Sequence, residues 1–340
     1  MTLKLRIGIF VAIVLLAVAG TAVYVLRFKH EKDRAAAQAP AAVVRDDLTE
    51  VLAGPYLVFR NTAQGGDGYG RVAVVPLSAP GGPRALTPVS CDRVYAVRGT
   101  AVCMVALRGL ATTYQIKTLG PQWNVTSDRP LPGLPSRTRL SRDGTLTATT
   151  TFVYGDSYNN PGQFSTRTLI APTGSDSATD IEKFDLIVDG KPVTAADKNL
   201  WGVTFVDDDQ FYATAASGKK TWLVKGSLSG HRLTALRADV ECPSLSPDRT
   251  RIAFKKHGDL PNGKWRLSVL NLTTMQETPL AETHSIDDQA EWLDDQTVIY
   301  GLPRDVDGSA SSDIWGVPAD GTGSPRLLVA DAWSPAVVGR

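Results

Sequence analysis

The side chains able to cut, ligate or cross-link are four histidines, three cysteines and a scatter of aspartates. His30, His231, His257 and His284 stand in separate contexts, none at metal-ligand spacing from another, so no zinc-type site is expected from them. The run Gly226-Ser227-Leu228-Ser229-Gly230 has the outline of a nucleophile elbow, but Leu228 occupies the place of the attacking serine. Asp305-Val306-Asp307-Gly308-Ser309 with Asp313 offers oxygen ligands of the kind calcium takes, without EF-hand spacing. Carboxylate pairs for glycoside hydrolysis can be assembled from many aspartates, and nothing in the sequence says which converge. These motifs lead to an expectation of no catalytic residue, no cofactor and no metal.

Cys91 and Cys103 are better placed for chemistry. They fall in CDRVYAV and TAVCMVA, two strand-like runs joined by a short turn at Arg98 and Gly99. In an antiparallel hairpin such positions become cross-strand neighbours, close enough for a disulfide. The alternative is a pair of buried thiols acting as small apolar residues, which is also the expected state of Cys242.

The elements that would carry these residues are short and numerous. Apolar residues make up 43% of the 340 and charged residues 21%, with 30 glycines and 21 prolines, a globular and turn-rich balance. A net charge of +1, from 36 basic and 35 acidic residues, gives no case for nucleic acid. Residues 7–26 (IGIFVAIVLLAVAGTAVYVL) are uncharged, and such a run suffices to cross the ~30 Å hydrocarbon core of a membrane as a helix. An uncleaved anchor over 1–30 with a short cytoplasmic end is expected, and signal-peptide cleavage with secretion is the alternative. Arg27, Lys29, Lys32 and Arg34 outnumber Lys4 and Arg6, so flanking charge would place the body inside. An Ala-rich linker is expected over 31–51.

From residue 52 onward the pattern repeats. PSLSPDRTRIAF from Pro243 gives a strand, a tight turn and a strand, KWRLSVLNLTTMQ a third strand, and ETPLAE a fourth. RLSRDGTLTATTTF, GVTFVDDDQFYA and AEWLDDQTVIY repeat the first half, their turns carried by Asp143-Gly144, Asp208-Asp209 and Asp294-Asp295. FSTRTLIAPT and KFDLIVDGKPV are expected as the third and fourth strands of one unit, joined by a longer connection. Four-strand repeats of this length predict an all-β six-bladed propeller of antiparallel blades over 52–340, preceded by the transmembrane helix. YLVFR from Tyr56 reads as a second strand with no first, and AWSPAVV over 332–338 as a first strand with nothing after it. The C-terminus is therefore expected to complete the N-terminal blade and close the ring.

Ser246-Pro247-Asp248 followed by Ile252-Ala253-Phe254 resembles the unit of the TolB-type propeller family, as do Trp333-Ser334-Pro335 and Ser141-Arg142-Asp143-Gly144 in part. Arg249 stands where that unit usually has glycine. The resemblance covers 52–340 and implies a propeller that serves as a protein-interaction platform. The α/β domain that precedes the propeller in TolB proper is missing, which removes the ground for naming a partner. Together with the cysteines, the resemblance implies an extracytoplasmic body.

In such blades the loops from second to third strands share one rim, and here they are the long ones. Asp67, Tyr69, Asp156, Tyr158, His257, Asp259, Arg304 and Asp305 lie on them as candidate binding residues. The expected function is a non-enzymatic, monomeric, membrane-anchored scaffold that binds an envelope protein or peptide. The alternative is a glycan-active hydrolase or lyase with carboxylates over the propeller channel.

Overall fold

The computed structural model describes residues 3–38, 41–153, 165–304 and 311–339. It divides into two units, residues 1–42 with 63–69, and residues 43–62 with 70–340. The first unit is built on one helix, Leu3–Gln38, which is long and apolar enough to cross a membrane over Lys4–His30, at a mean hydropathy of 2.7. The helix continues past the apolar run to Gln38, into the Ala-rich stretch expected as a linker, because alanine is the strongest helix former.

The second unit is a six-bladed propeller. Blade 1 joins Ala332–Val338, Tyr56–Asn61, Arg71–Pro76 and Arg84–Ser90. Blade 2 runs through Arg93–Val97, Thr100–Leu107, Thr113–Leu119 and Val125–Pro130; blade 3 through Leu134–Leu140, Leu146–Val153, Ser165–Pro172 and Thr179–Asp180. Blade 4 comprises Asn199–Phe205, Gln210–Ser217, Lys220–Ser227 and Arg232–Ala238; blade 5 comprises Glu241–Leu245, Arg251–Lys256, Arg266–Asn271 and Glu277–Pro279. Blade 6 is Glu291–Trp292, Thr297–Pro303, Ser312–Pro318 and Arg326–Val329.

The seam closes as the termini predict. Tyr56 pairs with Val338, Leu57 with Val337 and Val58 with Ala336, so no open edge is left there. Arg84 locks the closure by donating to Asn61 Oδ1 at 2.6 Å and to the carbonyls of Ala330 and Asp331 at 2.6 and 2.8 Å. Six apolar clusters hold the ring, each formed largely by facing surfaces of neighbouring blades. At the contact of blades 3 and 4 hydroxyls share this work, because the run LTATTTF supplies threonines. Thr150 and Thr168 meet at 2.9 Å, and Thr168 donates to the Leu200 carbonyl.

One expectation is corrected. KFDLIVDGKPV does not end the third blade, whose fourth strand is the two-residue Thr179–Asp180. Asp185–Val188 instead runs parallel to Arg232–Ala238 on the outside of blade 4, followed by Lys191–Pro192. A second edge addition, Val44–Arg45, lies parallel to Arg84–Ser90 on blade 1, and the short helix Leu48–Ala53 buries Val51 against the same blade.

The turns between first and second strands explain the Ser-x-Asp signature. Ser141 donates to Asp143 at 2.6 Å and Ser246 to Asp248 at 2.5 Å, while each serine oxygen accepts the backbone N–H five residues on. Each turn then needs a left-handed residue, supplied by Gly144 at φ 78° and by Arg249 at φ 60°. An arginine there costs about 1 kcal/mol relative to glycine. The first strands of several blades also break register midway, and Gly202, Cys242 and Ser334 take positive φ at these bulges. Glycine is required at 202, where a Cβ would lie 2.8 Å from the Cys242 Cα.

Candidate functional site

The first strands of the blades surround the central channel, and their inward side chains come from distant parts of the sequence. Arg139 of blade 3 reaches across to Glu291 of blade 6, with which it forms a buried ion pair. It also donates to Ser244 Oγ of blade 5 at 3.1 Å and to the Ala290 carbonyl at 2.6 Å. Tyr95 of blade 2 lies under the Arg139 guanidinium, 4.7 Å from it, and its hydroxyl donates to Glu291 at 3.0 Å. Burial opposes the charge of Arg139, yet Tyr95 and Glu291 more than offset this and push its pKa above the ordinary value. The channel is thus crossed by a polar brace joining four blades.

A second layer lies toward the rim of the long loops. Arg93 of blade 2 donates to Asp288 at 3.0 Å, and Arg137 of blade 3 lies 3.8 Å from Asp287 and 4.0 Å from Asp288. Lys255 of blade 5 pairs with Asp287, stands 3.7 Å from Glu241 and covers the Trp265 ring at 3.9 Å. Burial would raise the Asp287 pKa, but Lys255, Arg137 and Arg93 outweigh it and hold the carboxyl below its usual range. Gln289 ties in blades 4 and 5 by donating to the carbonyls of Val203 and Pro243 at 3.2 and 2.9 Å.

These braces divide the channel. On the side of the first-to-second-strand turns a cavity of about 170 Å³ remains, bordered by Arg98, Arg139, Arg142, Arg249 and Glu291 among others. On the other side only about 20 Å³ is left beside Arg93, Arg137 and Asp288. Arg139 lines both spaces, so it stands between them.

The structure treats the candidate rim residues unequally. His257 sits 3.3 Å from Glu241 with its ring tilted against that of Trp265, 4.8 Å between centroids, while Asp259 is exposed. Arg304 is a brace: it chelates Asp313 and stands 3.0 Å from Asp331, linking loop and blade. Asp67 and Tyr69 are exposed and belong to the unit containing the N-terminal helix. Asp156, Tyr158 and Asp305 lie outside the described residues, as does the run 305–309 considered for calcium.

The remaining motifs resolve simply. Cys91 and Cys103 form a disulfide, and Cys242 is a buried free thiol. Cys91 lies just before its strand rather than opposite Cys103, whose register partner is Val94. The run 226–230 is a hairpin, with Ser227 donating to Asp209 at 2.9 Å. Gly226 is needed there because the Phe211 ring would lie 2.2 Å from a Cβ. Among the described residues, no group of three or more His, Cys, Asp or Glu could hold a metal ion.

With this geometry in hand, comparison with known proteins bears on the fold alone. No family model matches the chain, and no curated protein matches it. Among solved structures, TolB from Acinetobacter baumannii superposes with a TM-score of 0.57 at 14% identity, over 84% of this chain and 67% of that one. A putative TolB from Agrobacterium tumefaciens gives 0.49 at 12% identity, over 82% and 90%. A puromycin hydrolase gives 0.48 at 16%, over 86% and 45%. The chain has the six-bladed propeller fold of the TolB-like proteins.

Proposed function

We propose that this protein is a non-enzymatic, membrane-anchored scaffold of the cell envelope that binds a protein or peptide on the propeller rim of long second-to-third-strand loops. The observation that supports it is the cross-bracing of the channel. Glu291, Asp287 and Asp288 are each matched with Arg139, Lys255 or Arg93, which leaves them as struts rather than as the acid and base of a hydrolase. A ring stiffened in this way presents its loops from a fixed frame. The apolar N-terminal helix supports anchoring, and the Cys91–Cys103 disulfide supports an oxidising compartment outside the cytoplasm.

The test is capture from a detergent-solubilised envelope fraction by the full chain, compared with a variant whose 155–163 loop is replaced by a short Gly-Ser link. A control carries Asp208→Lys on the opposite face. Loss of a specific partner in the loop variant alone is the expected result, and equal recovery by both would remove this rim from consideration.

A further inference from the structure

We propose that the channel mouth on the face of the first-to-second-strand turns is a binding site for a small anion bearing carboxylate or phosphate oxygens, held by Arg98, Arg142 and Arg249. It lies on the opposite face from the rim discussed above and stands apart from that reading.

The charge balance of the cavity carries the proposal. Its charged border consists of Arg98, Arg139, Arg142, Arg249 and Glu291. Glu291 is already shared by Arg139 and Tyr95, so it neutralises none of the others. Arg98, Arg142 and Arg249 form no ion pair among the described residues, and Arg142 donates to the uncharged Pro247 carbonyl at 3.2 Å. Three guanidiniums around one concavity repel one another unless an anion joins them, and their planar forks match the oxygens of carboxylate and phosphate.

The surrounding carboxylates do not supply that anion. Asp143, Asp207 and Asp208 border the outer vestibule and keep their charges, but among the described residues none forms an ion pair with Arg98, Arg142 or Arg249, and the first two are held by their own turns. Asp143 accepts from Ser141 and Thr145, and Asp207 accepts from the backbone N–H groups of Asp209 and Gln210. Asp208 lies at the same outer level. These carboxylates line the outer vestibule and not the inner cavity, which is bordered by Arg139, whose Nε is buried without a hydrogen-bond partner.

Backbone geometry points the same way. Arg249 takes the left-handed position that the matching turn of blade 3 gives to Gly144, and Arg98 also has positive φ. A large cation kept at a glycine position is a local strain that packing does not explain, since Arg249 is exposed. The cavity, about 170 Å³, has room for a molecule of the size of a small organic acid, given that a cavity of about 150 Å³ accepts benzene.

The experiment is isothermal titration of the detergent-solubilised full chain in low-salt buffer with citrate and, separately, with inorganic phosphate. Saturable binding of one molecule per chain by at least one of them is expected, weakening as salt is added. Arg249→Gln and Arg98→Gln should each weaken it by about tenfold, roughly one charge-assisted hydrogen bond. Arg249→Gly relieves the left-handed strain, so it should lose binding without any fall in melting temperature. Arg232→Gln, on an exposed edge elsewhere, should bind as the parent does. The arm that responds tells carboxylate from phosphate recognition. No saturable binding in either arm, undiminished binding by Arg249→Gln and Arg98→Gln, or equal loss in Arg232→Gln would overturn the proposal.

Discussion

Replacing Arg139 with methionine tests whether the channel brace holds the ring together. The side chains of Arg139 and Glu291 are 7% and 2% exposed, so the variant leaves a carboxylate buried without its cation. Removing one partner of a buried pair costs about 3–5 kcal/mol. Glu291 keeps two donors, the Tyr95 hydroxyl at 3.0 Å and the Trp292 N–H at 2.9 Å, which points to the lower part of that range. The Ala290 carbonyl and Ser244 lose a donor as well, which adds about 1 kcal/mol. A loss of about 3–4 kcal/mol is expected for Arg139→Met, and about 3 kcal/mol for Glu291→Gln, which strands the guanidinium. In the double variant neither charge is left unpaired, so the loss should shrink to about 2 kcal/mol. The coupling is then about 4–5 kcal/mol, well beyond the ~0.5 kcal/mol within which independent sites add. Urea denaturation of the detergent-solubilised chain, followed by tryptophan fluorescence, measures all four corners of the cycle. Single-variant losses below about 1 kcal/mol, or additive losses, would refute the brace.

Two other outcomes follow from single groups. Burial lifts the Glu182 carboxyl from 4.5 to about 8, with the Thr166 hydroxyl bond opposing the shift. The folded state then holds a proton that the unfolded state releases, so stability present below about pH 4.5 is lost as pH rises towards 8. After discounting for partial exposure the loss is about 2 kcal/mol; Glu182→Gln should flatten this trend in melting temperature, and an unchanged slope would count against it. Opening the Cys91–Cys103 disulfide, which spans 12 residues, should cost about 3 kcal/mol, read as a lower urea midpoint after reduction; no shift would mean that the bond does not constrain the unfolded chain.

The rim residues show how far sequence reading reaches a site. Arg304 reads as a free loop cation, yet Asp313 and Asp331 claim it, nine and 27 residues further along the chain. KFDLIVDGKPV reads correctly as strand material, but whether it closes one blade or edges the next depends on a parallel pairing with Arg232–Ala238 that leaves no mark in its own pattern. The Ser-x-Asp turns were visible because both partners lie within three residues, where a fixed spacing encodes a fixed hydrogen bond.

Sequence by itself determined the apolar helix, the number of blades, the turn chemistry and the closure of the ring by residues 332–338, all set by local periodicity or by complementary gaps at the two ends. Tertiary structure alone decided the channel. Arg139 and Glu291 lie 152 residues apart, and each is an unremarkable charge within its own strand. Only the rotation of successive blades about one axis brings them face to face, and it leaves Arg98, Arg142 and Arg249 gathered around a single mouth.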